Sequence, residues 1–161
     1  MKLSRRKTID KGFLAVVLAF IVLAGVCSKF FFQLMLIQGD SMLPAYHHLQ
    51  LVVLDKREKV YLPGDAVAFR CSGLSSVLVK RVAAGPGDEA VILEGTLFVN
   101  GRKSEVFPGD NIFAWAGSLE KPIALADGQY LVIGDNIPES RDSRYPEVGI
   151  VSEGDIIGKI L

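Results

Sequence analysis

Hydrophobic positions divide the chain into one continuous apolar segment near the N-terminus and a longer part made of short apolar runs. Residues 12–28 carry no charge and are mostly Ala, Val, Leu, Ile and Phe. As a helix, these 17 residues would be about 25 Å long, slightly less than the ~30 Å hydrocarbon core of a bilayer. Lys29 can extend its ammonium group to the interface, and residues 30–32 continue the apolar character. The pattern predicts a transmembrane helix over residues 12–32.

Two other N-terminal signals share part of this pattern. A cleaved secretory signal also has a charged start and an apolar middle, but here the small residues are poorly placed for cleavage and the apolar region resumes after Lys29. A lipoprotein signal needs its cysteine directly after the small residues, whereas Val26 stands before Cys27. The sequence therefore favours an uncleaved anchor.

Charge is placed unevenly around this segment, although the net charge is zero. Residues 1–12 hold five basic residues and one acidic residue. An excess of positive charge beside an apolar segment stays on the cytoplasmic side. We therefore expect a cytoplasmic tail over residues 1–11, the anchor over residues 12–32 and a domain on the outer face over residues 33–161.

The remainder of the chain is strand-like. Short apolar runs are separated by turn residues, and the tight-turn pairs Glu94-Gly95 and Asn100-Gly101 follow two of them. No helical periodicity of any length follows residue 40. Many short strands with Gly and Pro turns predict a mainly β domain, an antiparallel β-barrel or folded sheet. The predicted strands cover residues 50–54, 65–70, 76–82, 90–93, 96–99, 130–133 and 155–160.

Composition excludes several other classes of function. Beyond residue 37 there are 12 basic and 17 acidic residues, so no basic face for nucleic acid is expected. Cys27 and Cys71 lie in different parts of the chain and are not expected to pair. No Cys or His spacing is typical of a metal site, and we expect no metal or cofactor. The adjacent His47 and His48 are interpreted as a surface turn rather than as catalysts.

Two short segments contain residues that can act together chemically. Ser41 lies in Gly39-Asp40-Ser41-Met42-Leu43-Pro44, and Lys80 follows the apolar run 77–79. A serine hydroxyl needs a base to become a good nucleophile. Lysine can be that base when burial disfavours its ammonium form; a fall of ~3 pKa units would bring it near neutrality, at about 4 kcal/mol of differential solvation.

A third segment extends the pattern. Residues 134–144, Gly-Asp-Asn-Ile-Pro-Glu-Ser-Arg-Asp-Ser-Arg, follow an apolar run. Three segments occur in this order: G-D-S-M-x-P, K-R-V followed by a Gly-Pro-Gly-Asp turn, and residues 134–144. Together they closely resemble the motifs of bacterial type I signal peptidase. The resemblance runs from about residue 12 to the C-terminus and is loose from about 94 to 127. It implies a membrane-bound serine endopeptidase that removes N-terminal signal peptides from exported preproteins.

The resemblance also implies a role for each matching residue. Ser41 would be the nucleophile, Lys80 the general base, and Ser140 the hydroxyl that orients the lysine. The Ser41 backbone N–H would be an oxyanion donor; Gly39 lacks the side-chain donor found in some members, which leaves the second donor open. The remaining candidates are structural supports, Arg81, Asp135, Asp142 and Arg144, and substrate-pocket residues, Met35, Ile37, Met42, Tyr46 and Val79.

The expected partners are preproteins bearing signal peptides, the lipid bilayer and the secretion translocon, with no nucleic acid. The expected location is the bacterial plasma membrane, with a single pass, a cytoplasmic N-terminus and the catalytic domain outside. One alternative is a self-cleaving regulator of the LexA type, which also joins a G-x-S-M serine to a lysine about forty residues later. A specialised relative that matures pilins is another, and would differ only in substrate.

Overall fold

The computed structural model describes residues 10–107 and 112–161, without the side chains of residues 27 and 28. The predicted cytoplasmic tail lies outside these residues except at its last two positions. The N-terminal segment forms one helix, α1, from Lys11 to Phe30. The next residues do not continue it, because strand β1 begins at Phe32.

The predicted membrane crossing is not supported. Within residues 10–107 and 112–161, no helix combines the length and apolar character that a membrane span requires. Lys11 and Lys29 both lie inside α1, and the 17 uncharged residues between them would extend only about 25 Å. Residues 30–32 were expected to lengthen the apolar segment, but α1 ends at Phe30 and strand β1 begins at Phe32.

The rest of the described chain is built from strands and short 3₁₀ turns, as the sequence predicted. The strands are β1 Phe32–Leu36, β2 Leu51–Asp55, β3 Ala66–Cys71, β4 Ser76–Ala84, β5 Glu89–Leu93, β6 Thr96–Val99, β7 Arg102–Lys103, β8 Ile123–Ala124, β9 Gln129–Ile133, β10 Val151–Ser152 and β11 Ile156–Ile160. Four of them, β1, β7, β8 and β10, were not predicted.

These strands form two antiparallel sheets. The larger has seven strands in the order β1-β2-β11-β3-β4-β9-β10, and the smaller has four in the order β7-β6-β5-β8. The two predicted tight turns join β5 to β6 and β6 to β7 in the smaller sheet. Their residues, Glu94, Gly95, Asn100 and Gly101, all have positive φ, as two-residue type I′ turns require. The mainly β, antiparallel fold class is therefore confirmed.

The large sheet is rolled so that its β1 edge approaches the first half of β4. Met35 of β1 and Val79 of β4 pack against the same buried cluster, which is centred on Ile37, Met42 and Leu54. The second half of β4 pairs with β9, starting at Arg81 opposite Ile133. Residues 76–80 pair with β3 alone, so their other edge faces the space beside β1.

Candidate active site

Ser41 and Lys80 meet beside the cavity that separates β1 from the first half of β4. Lys80 Nζ lies 2.5 Å from Ser41 Oγ, within hydrogen-bond distance. Lys80 stands on β4, and Ser41 stands on the loop that connects β1 to β2. The two side chains that the sequence singled out, 39 residues apart, are thus in direct contact.

The Lys80 ammonium is poorly solvated. Only 3% of the residue is exposed, and no carboxylate forms an ion pair with it among the described residues. Burial lowers the pKa of Lys80 from 10.5 to about 8, and it outweighs the attraction of the Asp142 and Asp135 carboxylates, which raises that pKa. The neutral amine is therefore accessible near physiological pH.

The loop that carries Ser41 is a tight turn held by backbone hydrogen bonds. Gly39 has φ +86°, a conformation that favours glycine, and this orients the chain into the turn. The Leu43 N–H donates to the Asp40 carbonyl at 3.1 Å. The Gly39 N–H donates to Nδ1 of His48 at 3.0 Å, a contact that sequence reasoning did not predict. Both histidines are exposed, in agreement with their interpretation as a surface turn.

Residues 134–136 contact the loop that carries Ser41 through hydrogen bonds and close packing. The Asn136 N–H donates to the Ser41 carbonyl at 3.0 Å, and Asn136 Nδ2 donates to the Asp40 carbonyl at 3.0 Å. The approach requires glycine at position 134, since a Cβ there would lie 2.5 Å from the Ser41 carbonyl oxygen and 2.2 Å from Ser140 Oγ. Sequence reasoning gave Asn136 no role.

Ser140 is buried beside Gly134, at 1% exposure. Its Oγ has no hydrogen-bond partner among the described residues. The expected hydrogen bond from Ser140 to Lys80 is thus not formed in this structure, and the lysine-orienting role of Ser140 stays a prediction. A buried hydroxyl without a partner is uncommon and calls for an explanation.

The four residues predicted as supports form two ion pairs. Asp142 and Arg144 are both almost fully buried, with Arg144 Nε 2.8 Å from Asp142 Oδ1. Arg144 also donates to the Ile137 and Ser140 carbonyls, so its guanidinium holds the segment after β9 together. Arg81 pairs with both oxygens of Asp135, and this hydrogen bonding raises the pKa of Arg81.

A cavity of about 410 Å³ opens beside Ser41 and Lys80. It lies between β1 with the residues that follow it and the first half of β4. Four of the five predicted pocket residues line it, namely Met35, Ile37, Met42 and Val79. Tyr46 does not line this cavity, and packs instead against the core cluster beneath it.

A second cavity, of about 770 Å³, is lined in part by the ion pair of Arg81 and Asp135. Its lining residues do not include Ser41 or Lys80. Within residues 10–107 and 112–161, no group of three or more His, Cys, Asp or Glu side chains is arranged to hold a metal ion. Cys71 is a buried free thiol, and the side chain of Cys27 lies outside those described.

The backbone N–H of Ser41 has no acceptor among the described residues. It is therefore available as a hydrogen-bond donor next to Ser41 Oγ. An oxyanion that forms when Ser41 Oγ attacks a carbonyl needs such a donor in place before the reaction.

Comparison with known proteins assigns a family. The family model described as "Signal peptidase, peptidase S26" matches residues 10–161. The protein "Signal peptidase I S" of Bacillus subtilis (strain 168) is 30% identical, over 96% of this chain and 88% of that protein. "Signal peptidase IB" of Staphylococcus aureus (strain COL) is 29% identical over the same shares of the two chains.

A solved structure agrees in fold. The crystal structure of a signal peptidase I from Enterococcus faecalis V583 matches with a TM-score of 0.52 at 24% identity, covering 63% of this chain and 97% of that one. The class of the protein is thus a serine endopeptidase. The chain belongs to the peptidase S26 family of signal peptidases, and the resemblance seen in the sequence is confirmed. The family match favours this assignment over a self-cleaving regulator of the LexA type.

Proposed function

We propose that this signal peptidase cleaves preproteins with Ser41 as nucleophile and Lys80 as general base. The observation that carries the proposal is the 2.5 Å contact between Lys80 Nζ and Ser41 Oγ, with a lysine that is buried and has no carboxylate partner in the part of the chain that the structure describes. A paired lysine would remain an ammonium and could not accept a proton. The lowered pKa of Lys80, about 8, is consistent with a base that works near neutral pH.

The reaction proceeds by acyl transfer. Neutral Lys80 accepts the Ser41 hydroxyl proton while Oγ bonds to the carbonyl carbon of the scissile peptide, whose oxygen becomes the oxyanion. When the C–N bond breaks, the Lys80 ammonium returns its proton to the leaving amine, and an acyl-enzyme remains. A water molecule then attacks the ester with the same lysine as base, which releases the signal peptide and restores Ser41. The Ser41 N–H supports the oxyanion in both halves.

The substrate fits this site as an extended strand. Within residues 10–107 and 112–161, no strand pairs with one side of β1 or with one side of residues 76–80, and both of these edges face the cavity beside Ser41. A peptide in this space can form main-chain hydrogen bonds to an exposed strand edge, while its alternate side chains enter the cavity. Met35, Ile37, Met42 and Val79 give the cavity apolar walls, which suit small apolar residues before the cleaved bond.

Attachment to the outer face of the bacterial plasma membrane completes the proposal. The apolar side chains of α1 are exposed, and an exposed apolar face continues on the β1–β2 pair, where Leu34 lies opposite Val53 and Leu36 opposite Leu51. Contiguous exposed apolar surface of this kind is typical of a membrane or protein contact. The single pass rests on the apolar residues 12–32 and the cytoplasmic N-terminus on the basic residues 1–12, and both stay predictions, as does a contact with the translocon.

The decisive experiment is cleavage of a purified preprotein by the membrane-reconstituted enzyme, with N-terminal sequencing of the product. Wild type should release one mature N-terminus, and Ser41→Ala and Lys80→Ala should each reduce the rate to background. The double variant should be no slower than either single variant, because residues that act as a unit are non-additive. Substantial cleavage by Ser41→Ala would refute the assignment.

A further inference from the structure

We propose that Asn136 is a positioning residue that orients the Ser41 backbone N–H toward the oxyanion. The inference rests on the proposed role of Ser41 as nucleophile. It starts from two contacts that one residue makes to the nucleophile loop: the Asn136 N–H donates to the Ser41 carbonyl, and its Nδ2 donates to the Asp40 carbonyl, each at 3.0 Å.

The second contact acts on the oxyanion donor through peptide geometry. The Asp40 carbonyl and the Ser41 N–H belong to one planar trans peptide unit, so they point in opposite directions. Fixing the carbonyl oxygen therefore fixes the direction of the N–H. Asn136 Nδ2 and the Leu43 N–H hold that oxygen together, whereas the Ser41 N–H on the other side has no acceptor among the described residues.

The chemistry of the contact explains why an amide is needed. A carbonyl oxygen only accepts hydrogen bonds, so the group facing Asp40 must be a donor. An ionised aspartate at position 136 has nearly the same shape but cannot donate. The close packing of Gly134 against the Ser41 carbonyl sets the distance from which Asn136 can reach both carbonyls.

This role differs from that of the residues around Lys80. Asn136 makes no hydrogen bond to the Lys80 side chain, and it does not line the cavity beside Ser41. Its loss should therefore leave both substrate affinity and the pKa of Lys80 nearly unchanged. Only the stabilisation of the oxyanion should fall, because a donor that must first be oriented contributes less to the transition state.

The test compares Asn136→Ala and Asn136→Asp with wild type on a signal-peptide substrate. We expect kcat to fall by about 10- to 100-fold in Asn136→Ala, with KM changed by less than about twofold. Asn136→Asp should be at least as slow. The midpoint of the rate against pH should stay where it is in wild type. A matched control is Glu139→Ala, an exposed position in the same turn, which should keep wild-type kinetics.

A peptide aldehyde separates this role from a purely structural one. It adds reversibly to Ser41 Oγ, and its carbonyl oxygen becomes the adduct's oxyanion. Its inhibition constant should rise in Asn136→Ala by the same factor by which kcat/KM falls. Unchanged turnover in Asn136→Ala, full activity in Asn136→Asp, or an unchanged aldehyde constant would each overturn the inference.

The same set of proteins shows which proposal has failed. If wild type cleaves and Ser41→Ala does not, the proposed function stands, and the Asn136 variants decide this inference alone. If Ser41→Ala still cleaves, the nucleophile is wrong, and the orienting role falls with it. Asn136→Asp is nearly isosteric, so it provides a folded variant even if Asn136→Ala is unstable.

Discussion

Two adjacent residues of β4, Lys80 and Arg81, carry basic side chains on opposite faces of the strand, and these side chains differ in burial and in their partners. Lys80 is buried next to a hydroxyl and has no carboxylate partner among the described residues, whereas Arg81 is bonded to both oxygens of Asp135. Desolvation lowers the pKa of Lys80, while hydrogen bonding raises the pKa of Arg81. A buried lysine without an ion-pair partner is suited to act as a base, whereas a partly buried arginine bonded to a carboxylate stays charged and is suited to a structural role. Arg144 is as deeply buried as Lys80, at 3% exposure, but it is paired with the Asp142 carboxylate.

The largest effect on stability should come from breaking the buried pair. Arg144→Ala leaves the Asp142 carboxylate, which has no exposed surface, without its partner and frees two carbonyls. The free energy of unfolding should fall by about 3–5 kcal/mol, because an uncompensated charge remains buried. Chemical denaturation of the purified protein measures this change. Arg141→Ala, an exposed arginine in the same segment, should change stability by less than about 0.5 kcal/mol.

If Arg144→Ala and Arg141→Ala were equally stable, the ion pair of Asp142 and Arg144 would not stabilise the fold. The proposed difference between paired and unpaired buried basic residues would then be contradicted.

Lys80→Met should raise the free energy of unfolding, whereas Arg144→Ala should lower it. The lowered pKa of about 8, against 10.5 for an ordinary lysine, means that the folded state holds an ammonium at a cost of up to ~3 kcal/mol at neutral pH. Methionine has similar length and no charge, so the variant should be inactive and more stable than wild type. The gain should be complete below pH 8 and should vanish by about pH 10.5, because the unfolded chain binds the proton more tightly within that window.

Denaturation of wild type and Lys80→Met at pH 7 and pH 10.5 checks both the sign and the window. A variant that is less stable than wild type at pH 7 would mean that Lys80 is well solvated in the fold, and the explanation of its basicity would have to be abandoned.

The sequence predicted much of this fold because its signals were local. Apolar runs between Gly and Pro turns located seven of the strands, and the pairs Glu94-Gly95 and Asn100-Gly101 located two hairpins. β1 was missed because its residues, all apolar except Gln33, follow an anchor-like helix and do not alternate between apolar and polar. The two-residue strands β7, β8 and β10 are defined by their partners rather than by their own residues.

The site was predictable only as far as its motifs reach. Ser41 and Lys80 carry signatures, and the structure places them in contact. The contacts of His48 to Gly39 and of Asn136 to Asp40 join a side chain to a distant backbone group, up to 96 residues away. A backbone acceptor can belong to any residue type, so such contacts leave no pattern in a sequence. The rolling of the sheet, which creates the cavity, likewise follows from long-range packing.

The pH dependence of cleavage should follow the lowered pKa of Lys80 and should not depend on Arg81. Only neutral Lys80 can accept the Ser41 proton, so the rate should rise about tenfold per pH unit below the pKa and level off above about 8. Arg81 stays charged throughout and should contribute nothing to the profile. Single-turnover rates between pH 6 and pH 10 measure the midpoint. A rate that is flat across this range would exclude Lys80 as the titrating base.

The smallest effect is expected at Ser140, which can be compared with its neighbour Ser143. Ser140 Oγ is buried and has no partner among the residues that the structure describes, whereas Ser143 Oγ accepts from the Val132 N–H at 3.0 Å. Ser140→Ala removes no hydrogen bond and relieves the cost of burying an unpaired hydroxyl, so it should not lower stability, yet turnover should fall by about tenfold if the hydroxyl orients Lys80 during the reaction. Ser143→Ala should lower stability by about 1–3 kcal/mol, since it leaves a buried N–H unsatisfied, while the folded enzyme keeps its turnover. Wild-type turnover in Ser140→Ala would reduce that residue to a packing role beside Gly134.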